Sequence, residues 1–220
     1  MDKNDQAQAV DRAFTTSDFY QMLSVSLRPP NQELVAGLLE GRYDEDANNI
    51  LGELGIHGQE EGDMPIPAAE SLSQLQQEYT RLFEDPRKPV IPIYETIMLK
   101  DQNHKEKIMM FQSPAALDAG QSYTNAGFTL INPAYEPADH LATELEFMMY
   151  LYQRKGEALQ HERKEEVEQL IQSIEGFETS HLKKWTGPFF DRLQSEAQIA
   201  FYRDLARRAK SGLACVWRTR

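Results

Sequence analysis

A chain of 220 residues, 40% apolar and 26% charged, is long enough to bury a core and has the make-up of a soluble globular protein. Its formal net charge of −12 argues against gripping nucleic acid or an anionic membrane, and suits a basic peptide partner. The one cysteine, Cys215, excludes an internal disulfide framework and fits a reducing compartment. The N-terminus has no apolar signal region, and no apolar run approaches the roughly 20 residues needed to span a bilayer. The chain therefore reads as cytoplasmic, without stable membrane insertion.

Residues 1–14 are polar and read as a flexible N-terminus, with a helical domain following over 15–218. Thr16 or Ser17 can cap a first helix bearing Phe19, Met22, Leu23 and Leu27, which ends before Pro29 and Pro30. Asn31 caps a second helix with Leu34, Val35, Leu38 and Leu39, and Gly41 closes it. A third carries Ala47, Ile50, Leu51 and Leu54. Glycines, prolines and acids then crowd residues 55–67, which read as a hinge loop and an internal boundary. Such a hinge is long enough to let an N-terminal helical segment exchange between two chains, giving a homodimer.

Residues 70–83 form an amphipathic pattern, with Leu72, Leu75, Tyr79 and Leu82 on one face. Pro86, Pro89 and Pro92 then hold the chain extended as far as Tyr94 and Glu95, and residues 97–111 leave room for a short strand pair. Ser113 and Pro114 open a helix that Gly127 ends. The stretch 132–140, Asn-Pro-Ala-Tyr-Glu-Pro-Ala-Asp-His, precedes a strongly apolar run. Pro137 suits a first helical position, so a helix is expected just after Glu136, with Asp139 in its first turn and Leu141, Leu145, Met148 and Tyr152 facing the core. Gly156 interrupts that pattern. A charged helix follows with Val167, Leu170, Ile171, Ile174, Phe177, His181, Leu182 and Trp185 on one seam. Gly187 and Pro188 mark a turn before a last helix with Ile199, Phe201, Tyr202 and Leu205. Helical spacing dominates throughout, so the fold class is all-α, a single helical bundle-like domain.

Two constellations carry polar or aromatic chemistry. In the first, Glu136, Asp139, His140 and Glu144 gather at the mouth of the apolar helix. They serve either as an ordinary helix start or as a binding site. The helix N-terminus disfavours an imidazolium at His140, whereas Asp139 and Glu144 favour it. In the second, Tyr79, Leu82, Phe83, Pro86, Pro92, Tyr94 and Glu95 join aromatics to a stiff loop. They either face the core or line a groove for an apolar peptide, at little entropic cost. A di-iron oxidase on a helical bundle is the rival from another class: His140 and Glu144 stand four apart, and Glu178 and His181 form a Glu-x-x-His step. Such sites need two of those steps, and His181 lies on an apolar seam, so no metal ligand set is assigned. There is no Gly-x-Ser-x-Gly and no Walker-type loop, and Cys215 has no evident histidine partner. Neither an enzyme nor a cofactor is expected.

Three ordered blocks resemble the TorD/DmsD family of cytoplasmic redox-enzyme maturation chaperones. They are Glu78-Tyr79-Thr80-Arg81-Leu82-Phe83 with Pro86, Pro92, Tyr94 and Glu95; Glu136-Pro137-Ala138-Asp139-His140 with its helix; and residues 177–185 with Phe201, Tyr202, Leu205 and Ala206. The resemblance implies an all-helical fold without turnover. It also implies binding of the twin-arginine leader, or the body, of an immature redox enzyme subunit, a molybdoenzyme, until cofactor insertion and export. The family's binding residues carry over to Leu82, Phe83, Pro86, Tyr94, Pro137, Asp139 and His140. Glu95, Glu136 and Asp139 could meet the leader arginines as charge-assisted pairs.

Overall fold

Side-chain caps start several helices where the sequence signals them. The computed structural model describes residues 3–56, 71–85, 89–100, 112–130 and 137–218, and among them it is all-α. In chain order the first helices are α1 (Lys3–Ser26), α2 (Gln32–Leu39), α3 (Arg42–Glu53), α4 (Leu72–Tyr79) and the short α5 (Glu95–Lys100). Then come α6 (Pro114–Ala126), α7 (Leu141–Gln160), α8 (Lys164–Phe177), α9 (Lys183–Glu196) and α10 (Ala200–Arg218). A π-helical turn, Thr80–Glu84, follows α4, and another, Glu178–Leu182, joins α8 to α9. Asn31 caps α2, and Ser71 forms a reciprocal capping box with Gln74 at α4. Ser113 caps α6, whose first residue is Pro114 and whose end is Gly127 at φ 74°. Pro86, Glu136, residues 57–67 of the expected hinge and residues 101–111 of the expected strand pair lie outside the described residues.

Five expectations change because tertiary packing overrides local signals. α1 begins at Lys3, well before the expected cap at Thr16 or Ser17. The Thr16 hydroxyl bonds back to Arg12 O at 2.7 Å and Ser17 donates to Met149 O at 3.0 Å, so neither is spent on a helix start. Residues 1–14 were expected to be flexible, yet from residue 3 on they are helical. Gln6 Nε2 reaches Leu159 O at 3.1 Å, so that polar stretch is recruited by packing along α7. α7 itself begins at Leu141 rather than just after Glu136, for reasons of strand-like pairing given below. Pro188 lies inside α9 instead of marking a turn. Trp185 and Thr186 before it and Phe189 and Phe190 after it are all buried, which offsets the roughly 3 kcal/mol that an interior proline costs.

The fifth change is at Gly156, which α7 passes through without a break. A Cβ at this position would lie 2.7–2.9 Å from three ring carbons of Phe14, so the glycine permits α1 to approach. Gly156→Ala should therefore forfeit the usual helix-propensity gain of about 1 kcal/mol and instead lose about 1 kcal/mol net through overpacking. In a Phe14→Leu background the same substitution should stabilise. Urea unfolding of the four proteins checks this, and an equal effect in both backgrounds would refute the close approach.

Two compact units divide the chain, each from two segments: Met1–Ser24 with Ile93–Thr186, and Val25–Pro92 with Gly187–Arg220. The boundaries thus fall away from the glycine-rich stretch 55–67. In the first unit, Leu141, Leu145, Met148 and Leu151 of α7 are fully buried, and Phe147 packs on Tyr123 and Phe177 at ring distances of 4.7 and 4.8 Å. In the second, Phe83 stacks on Phe189 and meets Tyr79 and Tyr202 edge-on. Glu78 is buried there as well. It accepts from Arg81 Nε at 2.7 Å and Nη2 at 2.8 Å, and from the Gln198 N–H at 2.6 Å just ahead of α10.

Candidate functional site

The first unit holds the site, and a single antiparallel bridge builds it. Tyr94 pairs with His140, with Glu95 N–H donating to Asp139 O and Leu141 N–H to Ile93 O, both at 3.0 Å. Residues 137–140 instead form a turn, closed by the His140 N–H on Pro137 O at 3.3 Å, and the pairing holds His140 extended, so Pro137 is not a first helical position and Asp139 lies ahead of the helix instead of in its first turn. His140 becomes the N-cap: its Nδ1 accepts the Ala142 N–H at 3.2 Å, which requires a lone pair there and so the neutral ring carrying its proton on Nε2. The Tyr94 ring meets the His140 ring edge-on at 5.0 Å.

Asp139 binds across the bridge. Its Oδ2 accepts the Thr96 N–H at 3.0 Å, an N-terminal amide of α5, while Thr96 Oγ1 donates to the α6 cap Ser113 at 2.6 Å. Burial raises the Asp139 pKa despite the Thr96 hydroxyl and N–H that oppose it. Tyr123 donates to Ala138 O at 2.7 Å and fixes the same loop from α6.

Behind the bridge lies a buried polar cluster drawn from distant parts of the chain. Glu95 Oε2 lies 2.6 Å from His181 Nδ1, His181 Nε2 faces Asp118 Oδ2 at 3.2 Å, and Trp185 Nε1 donates to Glu144 Oε2 at 3.2 Å. The His181 ring stacks on Phe177 at 4.5 Å. Glu95, Asp139, His140, Glu144 and His181 are each 4% exposed or less. Burial, and then the negative charges of Glu95 and Asp139, push the Glu144 pKa well above the ordinary carboxylate value.

The structure thus brings together Tyr94, Glu95, Pro137, Asp139 and His140, with Tyr94 half-buried and the other four buried. This corrects the expectation that Glu95 and Asp139 present charges to leader arginines. Their carboxylates are turned inward and spent on His181 and Thr96. Leu82 and Phe83 belong to the other unit, where they are buried. Ile91 N–H donates to Leu82 O at 2.8 Å, so the pair serves that unit's core. Glu178, the acid of the Glu-x-x-His step, pairs with Lys183 at 3.2 Å rather than joining His181, so no di-iron arrangement forms among the described residues.

Linear spacing did not reveal the roles of Glu95, Glu144, Thr96 and Trp185 as partners. It placed His181 correctly on the apolar seam beside Phe177 and Trp185, but nothing in it pairs that histidine with an acid 86 positions earlier.

Comparison with curated proteins and with solved structures finds no match. A family model does match, described as nitrate reductase delta subunit, over residues 43–191, about two thirds of the chain. That span contains every part of the bridge and of the buried cluster behind it. The chain therefore belongs to the nitrate reductase delta subunit family, a group of molybdoenzyme-maturation chaperones in agreement with the TorD/DmsD resemblance.

Proposed function

We propose that this chain is a cytoplasmic, non-enzymatic chaperone for an immature molybdoenzyme subunit. It holds the client's twin-arginine leader, with or without part of the client body, until the cofactor is inserted. Family membership supports the chaperone role, and the observation that carries the site is the Tyr94–His140 bridge. There a half-exposed aromatic is fixed by buried partners on both sides. A ring already immobilised loses little entropy when an apolar leader segment covers it. Pro92, buried just ahead of it, stiffens the approach. Glu95, Asp139 and His140 then act as positioning residues, while the net charge of −12 draws the basic end of the leader by long-range attraction. Among the described residues no helix is long and apolar enough to cross a membrane.

Calorimetric titration with a panel of twin-arginine leader peptides tests this reading. Tyr94→Ala should weaken binding by about 2 kcal/mol, roughly thirtyfold, with a melting temperature measured alongside to separate binding from folding. Unchanged affinity for every leader would move the groove elsewhere.

A further inference from the structure

Glu95, Glu144 and His181 each bring a ligand atom to within 4.8 Å of the others, from α5, α7 and the π-helical turn before α9. We propose that these three side chains form a site for one divalent transition cation of the zinc class, structural in role. The inference does not rest on leader binding.

The donor set is two carboxylates and one imidazole, a combination suited to zinc and its neighbours and unsuited to calcium or magnesium, which take oxygen alone. A second observation points to a ligand. Glu144 is fully buried, and while its Oε2 accepts from Trp185, its Oε1 meets no N–H donor and the side chain lies against the Glu95 carboxyl. An orphaned carboxylate oxygen sealed from water is costly unless something positive meets it. Among the described residues no lysine or arginine pairs with Glu95, Glu144 or Asp139, which are buried together beside one imidazole. A divalent ion entering here would displace protons, not a cationic side chain.

The surroundings shelter the three donors, and a water would complete a tetrahedral ion. Trp185 orients Glu144, and the Phe177 ring under His181 fixes the imidazole plane and keeps water out. Asp118, an exposed residue 3.2 Å from His181 Nε2, stands at the outer edge where an ion could enter. Glu95 and His181 touch at 2.6 Å, whereas donors around a tetrahedral ion sit about 3.3 Å apart. Loading therefore requires the two side chains to part by roughly 0.7 Å, which small rotations supply.

The whole chain, stripped with a chelator and desalted, is titrated with zinc sulfate and melted. The expected result is one retained zinc per chain by elemental analysis and a rise in melting temperature of about 5 °C or more. Glu144→Gln keeps the side chain's shape and removes its charge, so it should fold and lose the zinc-dependent rise. His161→Ala, at an exposed histidine, should keep it. Cobalt in place of zinc should give the visible absorption of a tetrahedral site in the wild type, a readout that needs no variant to fold. No retained metal, no rise, no cobalt band, or a rise that survives in Glu144→Gln would each overturn the assignment and leave protons as the neutralising charge.

Discussion

Glu78→Gln should cost about 3 kcal/mol of stability, the low end of what is lost when one partner of a buried ion pair is removed. The carboxylate takes both Arg81 donors and also receives the Gln198 N–H, so it ties the end of α4 to the start of α10. A glutamine keeps the shape, but its amide hydrogens would face the guanidinium. Arg81 is partly exposed and can turn toward water, which limits the loss. The pH dependence follows from the same contacts. Burial raises the Glu78 pKa, but Arg81 and the N–H groups of Gln198 and Ile199 outweigh it and hold the group below its usual 4.5. As pH falls, the unfolded chain takes up this proton first, so the stabilisation is present above about pH 4.5 and drains away as pH drops through the lower folded-state value. Urea unfolding at pH 7 and near pH 3 should show the wild type losing its advantage over Glu78→Gln in acid. A gap that stays the same at both pH values would show that the pair contributes packing alone.

Local chemistry made much of the fold legible. A cap is written within a few residues, so Asn31, Ser113 with Pro114, and Gly127 could be read directly and stand where they were read. The apolar seam of α7 is likewise a matter of spacing, and Leu141, Leu145 and Met148 are fully buried. What spacing cannot carry is competition from the rest of the chain. Pro137 and Asp139 resemble a helix start, but backbone bonds to Ile93 and Glu95 win and delay the helix to Leu141. Gly156 resembles a helix break, whereas its lack of a side chain serves Phe14 on another helix. The site follows the same rule. Tyr94, Asp139 and His140 could be grouped through the resemblance, but whether their polar atoms face outward depends on Thr96, Ser113 and His181. Those residues are distant in sequence and unremarkable in type.

The dependence of Tyr94 on what lies behind it leads to the second large effect expected. His181→Leu, measured in chelator so that no bound cation contributes, should cost about 3–5 kcal/mol. It leaves the Glu95 carboxylate buried beside Glu144 without its imidazole partner. Loss of ring packing on Phe177 would also destabilise, so the variant alone does not separate the causes. Glu95→Gln does. If the Glu95–His181 hydrogen bond matters, the double variant should be less destabilised than the sum of the two singles by about 2–3 kcal/mol, whereas simple loss of packing would make the two additive. The consequence should then appear at the bridge. Glu95 opens α5, and its own N–H and that of Thr96 are bonded to Asp139, while the Leu141 N–H is bonded to Ile93. Freeing the Glu95 side chain should speed hydrogen exchange at these three amides more than at Leu145, deeper in α7, where only global unfolding gives access. Equal acceleration at all four would mean that His181 stabilises the unit without holding Tyr94 in place. Selective acceleration, with weaker leader binding although His181 is buried away from any peptide, would identify the buried pair as the support on which the half-buried Tyr94 ring depends.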